Sequence, residues 1–142
     1  MRERTTRGRG SSASYVHEQQ LLDAFVSKGS ATNAKQTLST ARASVAYVPN
    51  LRYTMSLGYF ETAGTTDALL YPSEPITGSA TGSPNSAGGI GELNFNPWQN
   101  TRLGLQHVGY SKFNGRSSAY DVAGGRNASH NNTLFLYVWL AF

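Results

Sequence analysis

The chain has 142 residues, enough for one domain with a real core and too few for two. Charged residues make up only 14%, against roughly 25% in an ordinary soluble domain, while glycine occurs 15 times and aromatics reach 11%. The formal charge of +4 is local: with Arg2, Arg4, Arg7, Arg9 and Glu3 set aside, eight basic and seven acidic residues remain, which gives nucleic-acid binding little basis.

There is no cysteine, so disulfides, thiol nucleophiles and thiolate metal sites are excluded. No apolar run reaches 18 residues, which excludes a membrane-spanning helix. The opening Met1-Arg2-Glu3-Arg4 leads into Thr, Arg and Gly without the apolar stretch of an export signal.

Residues 1–10 read as a basic arm or the stump of an upstream strand, and Gly8 to Ser12 as a turn. The arm is expected to be solvated charge, or a contact to acidic headgroups. Residues 12–25 form the weakest strand, because Val16, Leu22 and Ala24 share a face with Glu18 and Gln20. Residues 37–48 alternate better, with Ala41, Ala43, Val45 and Tyr47 opposite Thr40, Arg42 and Ser44. After a tight turn at 49–51, residues 52–62 set Tyr53, Met55, Leu57 and Tyr59 against Thr54, Ser56 and Thr62. Residues 87–96 place Gly91, Leu93 and Phe95 opposite Glu92, Asn94 and Asn96, and 97–100 turn the chain through Pro97 and Trp98. In 101–113, Leu103, Leu105, Gly109 and Phe113 oppose Arg102, Gln106, Tyr110 and Lys112. The last segment, 133–142, holds Leu134, Leu136, Val138, Leu140 and Phe142 on one face and Phe135, Tyr137, Trp139 and Ala141 on the other.

Short links near 8–12, 49–51 and 97–100 alternate with long Gly-, Ser-, Asn- and Thr-rich ones at 26–36, 63–86 and 114–132. Outer-membrane barrels connect their strands this way, with short periplasmic turns and long external loops. The expected fold is therefore all-β: an antiparallel up-and-down meander of about six strands over 11–142, part of a transmembrane β-barrel. Tyr47, Tyr53, Phe95 and Trp98 fall at the short-turn end, Tyr59 and Phe113 at the long-loop end, as two interfacial girdles would. Aromatics also favour strands on their own account.

The final Phe142, preceded at every second position by Leu140, Val138, Leu136 and Leu134, resembles the signal by which bacterial outer-membrane proteins are recognised for assembly. Gly58-Tyr59-Phe60, Asn96-Pro97-Trp98-Gln99-Asn100, the run from Tyr110 to Gly115 and the run from Gly125 to Ser129 are also similar to poorly characterised, porin-like proteobacterial barrels. The resemblance implies a bacterial outer-membrane location, with the lipid bilayer and the barrel assembly machinery as partners. Some such barrels are associated with multihaem cytochromes, which implies a periplasmic cytochrome as a further partner. The lack of an export signal, and six strands where about eight close the smallest barrel, are both met if the chain is the C-terminal fragment of a longer protein.

Arg42, Glu92, Arg102 and Lys112 share the polar alternation and are the candidates for facing a lumen. There they would either tune ion selectivity or form an internal ion-pair network. The aromatic trio Phe135, Tyr137 and Trp139 on that same side is unusual for a watery channel and points to a filled lumen, an enclosed partner, or the opposite assignment of the lipid-facing side. His17, His107 and His130 lie on separate segments without metal-ligand spacing, and His107 sits awkwardly on the lipid side near mid-strand. Gly88-Gly89-Ile90-Gly91 lacks the context of a phosphate loop and reads as a turn or bulge. Asp121 with Asn127, Asn131 and Asn132 offers oxygens for Ca²⁺ but not the spacing, so a flexible polar loop is the simpler reading. No catalytic residue, cofactor or metal is expected. The expected role is passive passage or membrane scaffolding; the alternatives are a sheath or anchor for a periplasmic partner and a soluble lipocalin-like binding barrel.

Overall fold

Strict two-residue alternation, bounded by glycine- and asparagine-rich breaks, demands strands whose two faces differ. The computed structural model describes residues 7–141 and contains six of them in one sheet. They are β1 (Gly8–Leu21), β2 (Lys35–Asn50), β3 (Tyr53–Gly64), β4 (Ser86–Trp98), β5 (Thr101–Lys112) and β6 (Thr133–Leu140). Each pairs antiparallel with the next, in sequence order. Among the described residues β1 pairs only with β2 and β6 only with β5, so the sheet is open. Arg2, Glu3 and Arg4 of the basic arm, and Phe142 of the assembly signal, lie outside the described residues.

Three boundaries differ from the sequence reading. Gly8 to Ser12 is strand, not turn: these residues pair in unbroken register with Val48 to Ser44 of β2. Glycine and serine favour turns only until a partner strand offers the ladder. At the other end β1 stops at Leu21, and Asp23–Ser27 forms a five-residue helix, α1, rather than more strand. The Leu22 amide donates to Ala34 O at 2.8 Å, which closes the hairpin before the helix begins. Pro49 and Pro97 fall inside β2 and β4, not in the turns proper. Both sit where the register shifts, between Tyr47 and Asn50 and between Phe95 and Trp98. A bulge needs no ladder donor, so it tolerates proline. The turns themselves shrink to Leu51-Arg52 and Gln99-Asn100.

Register decides which side chains share a face, because a slip of one residue would invert them all. One cross-strand row runs Arg9, Tyr47, Met55, Leu93, Leu105, Leu136; its neighbours belong to the apolar face. The opposite face carries Ser12, Ser44, Gly58 and Ile90 in one row and Ser56, Glu92, Gln106 and Phe135 in another. Among the described residues the six strands form one sheet, with no second sheet packed on either face. The buried apolar residues, Leu22, Ala31, Phe60, Ala87, Tyr120 and Ala128, gather at the long-loop end.

Candidate functional site

The apolar face is the most extended feature of the molecule. Leu134, Leu136, Val138 and Leu140 all project from it, with Leu136 80% exposed. Val45, Met55, Leu57, Tyr59, Leu93, Leu103 and Leu105 continue it across four strands and are exposed as well. Tyr53 and Phe95 stack at 4.9 Å near the short turns, and the Arg9 guanidinium lies 5.9 Å from the Tyr47 ring centre at the same level. Four of the six girdle candidates, Tyr47, Tyr53, Tyr59 and Phe95, are on this face by register. Trp98 stands exposed at the short turn. Phe113 does not belong to a ring of surface aromatics: it packs edge-on against Tyr110 at 5.1 Å and Tyr120 at 4.9 Å, inside the loops. His107 shares a row with Gly91 and Leu134, and its ring leans along the strand over Gly109, toward the long-loop end. A side chain so placed carries its polar atoms away from the middle of the apolar band.

The polar face collects Arg42, Glu92 and Arg102 by register. Lys112 is separated from them by a shift between Ala87 and Gly88, which sets it opposite Ala87 in the row of Glu61 and Ala41. Glu92 is the centre of a closed network. Its carboxylate accepts from Asn94 Nδ2 and from Gln106 Nε2 at 2.7 Å, and the Tyr137 hydroxyl lies 3.1 Å away. That hydroxyl also donates to Asn94 Oδ1 at 2.7 Å. Tyr137 reaches so far because its ring lies flat over Gly104, where any Cβ would collide with it. The aromatic trio on this face is thereby explained at its middle member. Hydroxyl pairs, Ser12 with Ser44 at 2.8 Å and Thr40 with Thr62 at 3.1 Å, extend the polar surface to β1.

The three long loops are not slack. Two buried aspartates tie them into a cap. Asp67 accepts the amides of Thr32 at 2.7 Å, Asn33 at 2.9 Å, Leu69 at 3.0 Å and Leu70 at 3.1 Å, which joins the first loop to the second. Burial alone would raise its pKa, but these donors, Asn33 foremost, outweigh it and hold the carboxyl well below the ordinary range. Asp121 accepts Ile76 N at 2.9 Å and Val122 N and Arg126 N at 2.8 Å each, which joins the second loop to the third. The Ile76 amide leads the donors that bring its pKa down to about 2. Tyr120 is fully buried and donates to Ile76 O at 2.7 Å. An edge-to-face series, Phe60, Tyr110, Phe113, Tyr120, runs from the polar face into the cap. Burial, then the charges of Asp67 and Glu18, push the Tyr71 phenol up.

No family model, curated protein or solved structure matches the chain. Among the described residues no three His, Asp or Glu side chains converge on a metal position. The oxygens considered for Ca²⁺ are committed elsewhere: Asn132 Oδ1 accepts Tyr110 N at 2.7 Å, Asn131 Oδ1 accepts the Tyr120 hydroxyl at 3.2 Å, and Asn127 caps the 3-10 turn Ala128–Asn131. The loop holding Asp121 is thus ordered by its aspartate, which corrects the expectation of a flexible one. His17 Nδ1 meets Ser39 Oγ at 2.8 Å and His130 Nδ1 accepts Asn127 N at 3.3 Å, so both histidines serve local structure. Sequence reasoning missed Asp67, Gly104 and Tyr120. None of the three carries a signal in the sequence, because a strand glycine and an Asp or Tyr in a Gly- and Ser-rich loop are ordinary residues for those places.

Proposed function

We propose that this chain forms the wall of a bacterial outer-membrane β-barrel, serving passive passage or scaffolding and carrying no catalysis of its own. The observation behind the reading is the run of exposed apolar side chains across β2 to β6 on one face of a sheet whose other face carries the Glu92 hydrogen-bond network and the hydroxyl pairs, beside exposed Phe135 and Trp139. Leu57, Leu134, Leu136, Val138 and Leu140 are each more than half exposed. In water each would forgo much of the roughly 1.5–3 kcal/mol that burial brings, and a contiguous exposed apolar surface of this kind marks a face that meets something other than water. Hydrocarbon reverses that sign. Strands of 12–16 residues satisfy their backbone through neighbours and rise about 30–40 Å at a tilt near 40°. Short turns at one end and a bulky loop cap at the other fit periplasmic and external surfaces. Closure requires further strands beyond these six.

The test uses the absence of native cysteine. Single cysteines at 53–60 along β3 are labelled with an environment-sensitive fluorophore after folding into lipid vesicles. Blue-shifted, lipid-quenchable emission at 53, 55, 57 and 59, alternating with water-exposed emission at the even positions, is the expected result. Emission without alternation would falsify the membrane reading, and emission of the opposite phase would exchange the lipid-facing and lumen-facing sides. Planar-bilayer recording then separates the two roles: steady conductance marks passage, silence marks a scaffold.

A further inference from the structure

We propose that the short-turn end of the sheet carries a binding site for a phosphate-type oxyanion, built from Arg52 and Arg102 on either side of Asn96, with Trp98 as its wall. The site is defined by side chains of two turns and stands whether or not the sheet spans a bilayer. Its geometry begins with Asn50, whose Oδ1 accepts the amides of Arg52 at 2.8 Å and Tyr53 at 3.0 Å and so fixes the Leu51-Arg52 turn. The second turn is locked to the first through Asn96, whose amide donates to Arg52 O at 2.7 Å. The Asn96 side chain faces the other arginine: Arg102 Nε donates to Asn96 Oδ1 at 3.3 Å. One residue therefore spaces both guanidinium-bearing segments.

An open groove of about 790 Å³ lies between the two turns, lined by Arg52, Asn96, Trp98, Gln99, Asn100 and Arg102 among others. That volume is within the roughly 300–1,000 Å³ of small-molecule sites. Its polar lining consists of two guanidiniums and three carboxamides, with no carboxylate. Glu92, the acid of the same face, keeps its oxygens on Asn94, Gln106 and Tyr137 and bears on Arg102 through its charge alone, while Arg52 lies across the groove. Guanidinium forks match the paired oxygens of a phosphate, and carboxamide N–H groups complete such a shell. Trp98 and Leu51, 73% and 85% exposed, add an apolar rim. The shared chemistry, a phosphate group held by two arginines, has two possible sources: a soluble solute or a phospholipid headgroup at the level of the turns.

Trp98 is the reporter, because only one other tryptophan exists and Trp139→Phe silences it. Detergent-folded W139F protein is titrated with inorganic pyrophosphate at constant ionic strength, and separately with vesicles of phosphatidylglycerol or phosphatidylcholine. A saturable change in Trp98 emission is expected, its midpoint raised at least tenfold in R52Q/R102Q and less in R52K/R102K. The lysine pair keeps the charge and so separates loss of binding from loss of fold. A response to pyrophosphate assigns the site to a soluble anion; a response to phosphatidylglycerol alone assigns it to lipid. No response to either, or equal midpoints in the parent and the double glutamine variant, overturns the site. The conductance and labelling tests of the membrane reading are independent of this outcome.

Discussion

A single charge placed on the apolar face distinguishes lipid from water most directly. Leu136 sits in mid-strand of β6, opposite Leu105, and is 80% exposed. On a water-facing sheet, replacing so exposed a side chain with arginine changes stability by no more than about 0.5 kcal/mol. At a bilayer midplane the same change costs about 2–4 kcal/mol, or roughly 30- to 900-fold in the folding equilibrium at about 1.36 kcal/mol per decade. Two controls lie on the same strand. Phe135 is one residue away on the polar face, so Phe135→Arg should stay within about 0.5 kcal/mol. Leu140 is four residues along, about 13 Å of strand and about 10 Å of depth, where arginine should cost no more than about 1 kcal/mol. Reversible guanidinium titration of vesicle-folded protein, followed by tryptophan emission, gives all three values. Equal costs at 135 and 136, or a larger cost at 140 than at 136, would refute the assignment of this face to lipid.

Other consequences follow from the polar face and the cap. Gly104→Ala should cost about 1–3 kcal/mol, because the new methyl displaces the Tyr137 ring from Asn94 and Glu92; denaturant midpoints equal to the parent's would contradict the close approach. The cap should loosen in acid. Asp121 has its pKa lowered to about 2, so its contribution is complete above the ordinary carboxylate value of 3.8 and disappears as pH falls through about 2. Pepsin cleavage within 65–85 and 113–132 should therefore accelerate between pH 4 and 2, and Asp121→Asn should expose the same segments at neutral pH to a neutral protease. Unchanged cleavage maps would show that the aspartate does not hold the loops. Gln36 is buried with no partner for its Nε2 among the described residues, so Gln36→Leu should be neutral or stabilising by up to about 1 kcal/mol in thermal unfolding. A loss above 1 kcal/mol would mean that the amide is satisfied in solution.

Alternation made the sheet legible. The odd positions of 53–59 and 103–105 and the even ones of 134–140 are apolar, and pairing in chain order puts them on one face without any further information. The same pattern placed Arg42, Glu92 and Arg102 together. What escaped needed a partner that periodicity does not name. Gly8 to Ser12 has turn-forming composition and becomes strand only because Val48 to Ser44 lie beside it. Tyr137 and Gly104 meet across a ladder, and only the register says so. Asp67 works through backbone amides of Thr32 and Asn33, groups that every sequence contains.

The two long-loop segments that stand out in the sequence, Tyr110 to Gly115 and Gly125 to Ser129, are both joints of the cap. Asn114 turns the chain at a φ of 44°, in the left-handed region, while its amide nitrogen donates to Thr77 O at 3.0 Å and Gly78 O at 2.9 Å. Gly115 follows at a φ of 94° against Thr81 and Ser83, where a side chain would be strained and would collide. Gly125 lies so near the Asp121 carboxylate that a Cβ would strike Oδ1, Arg126 supplies that carboxylate with an amide, and Ala128 is 1% exposed. Asn114, Gly115, Gly125, Arg126 and Ala128 in these runs are consumed in joining loop to loop. Motif-like density in a loop is thus no sign of chemistry when each donor and acceptor already has a partner. It marks the places where a long polar connection has been given a core, and that core stands on Phe60 and Tyr110, side chains of the polar face.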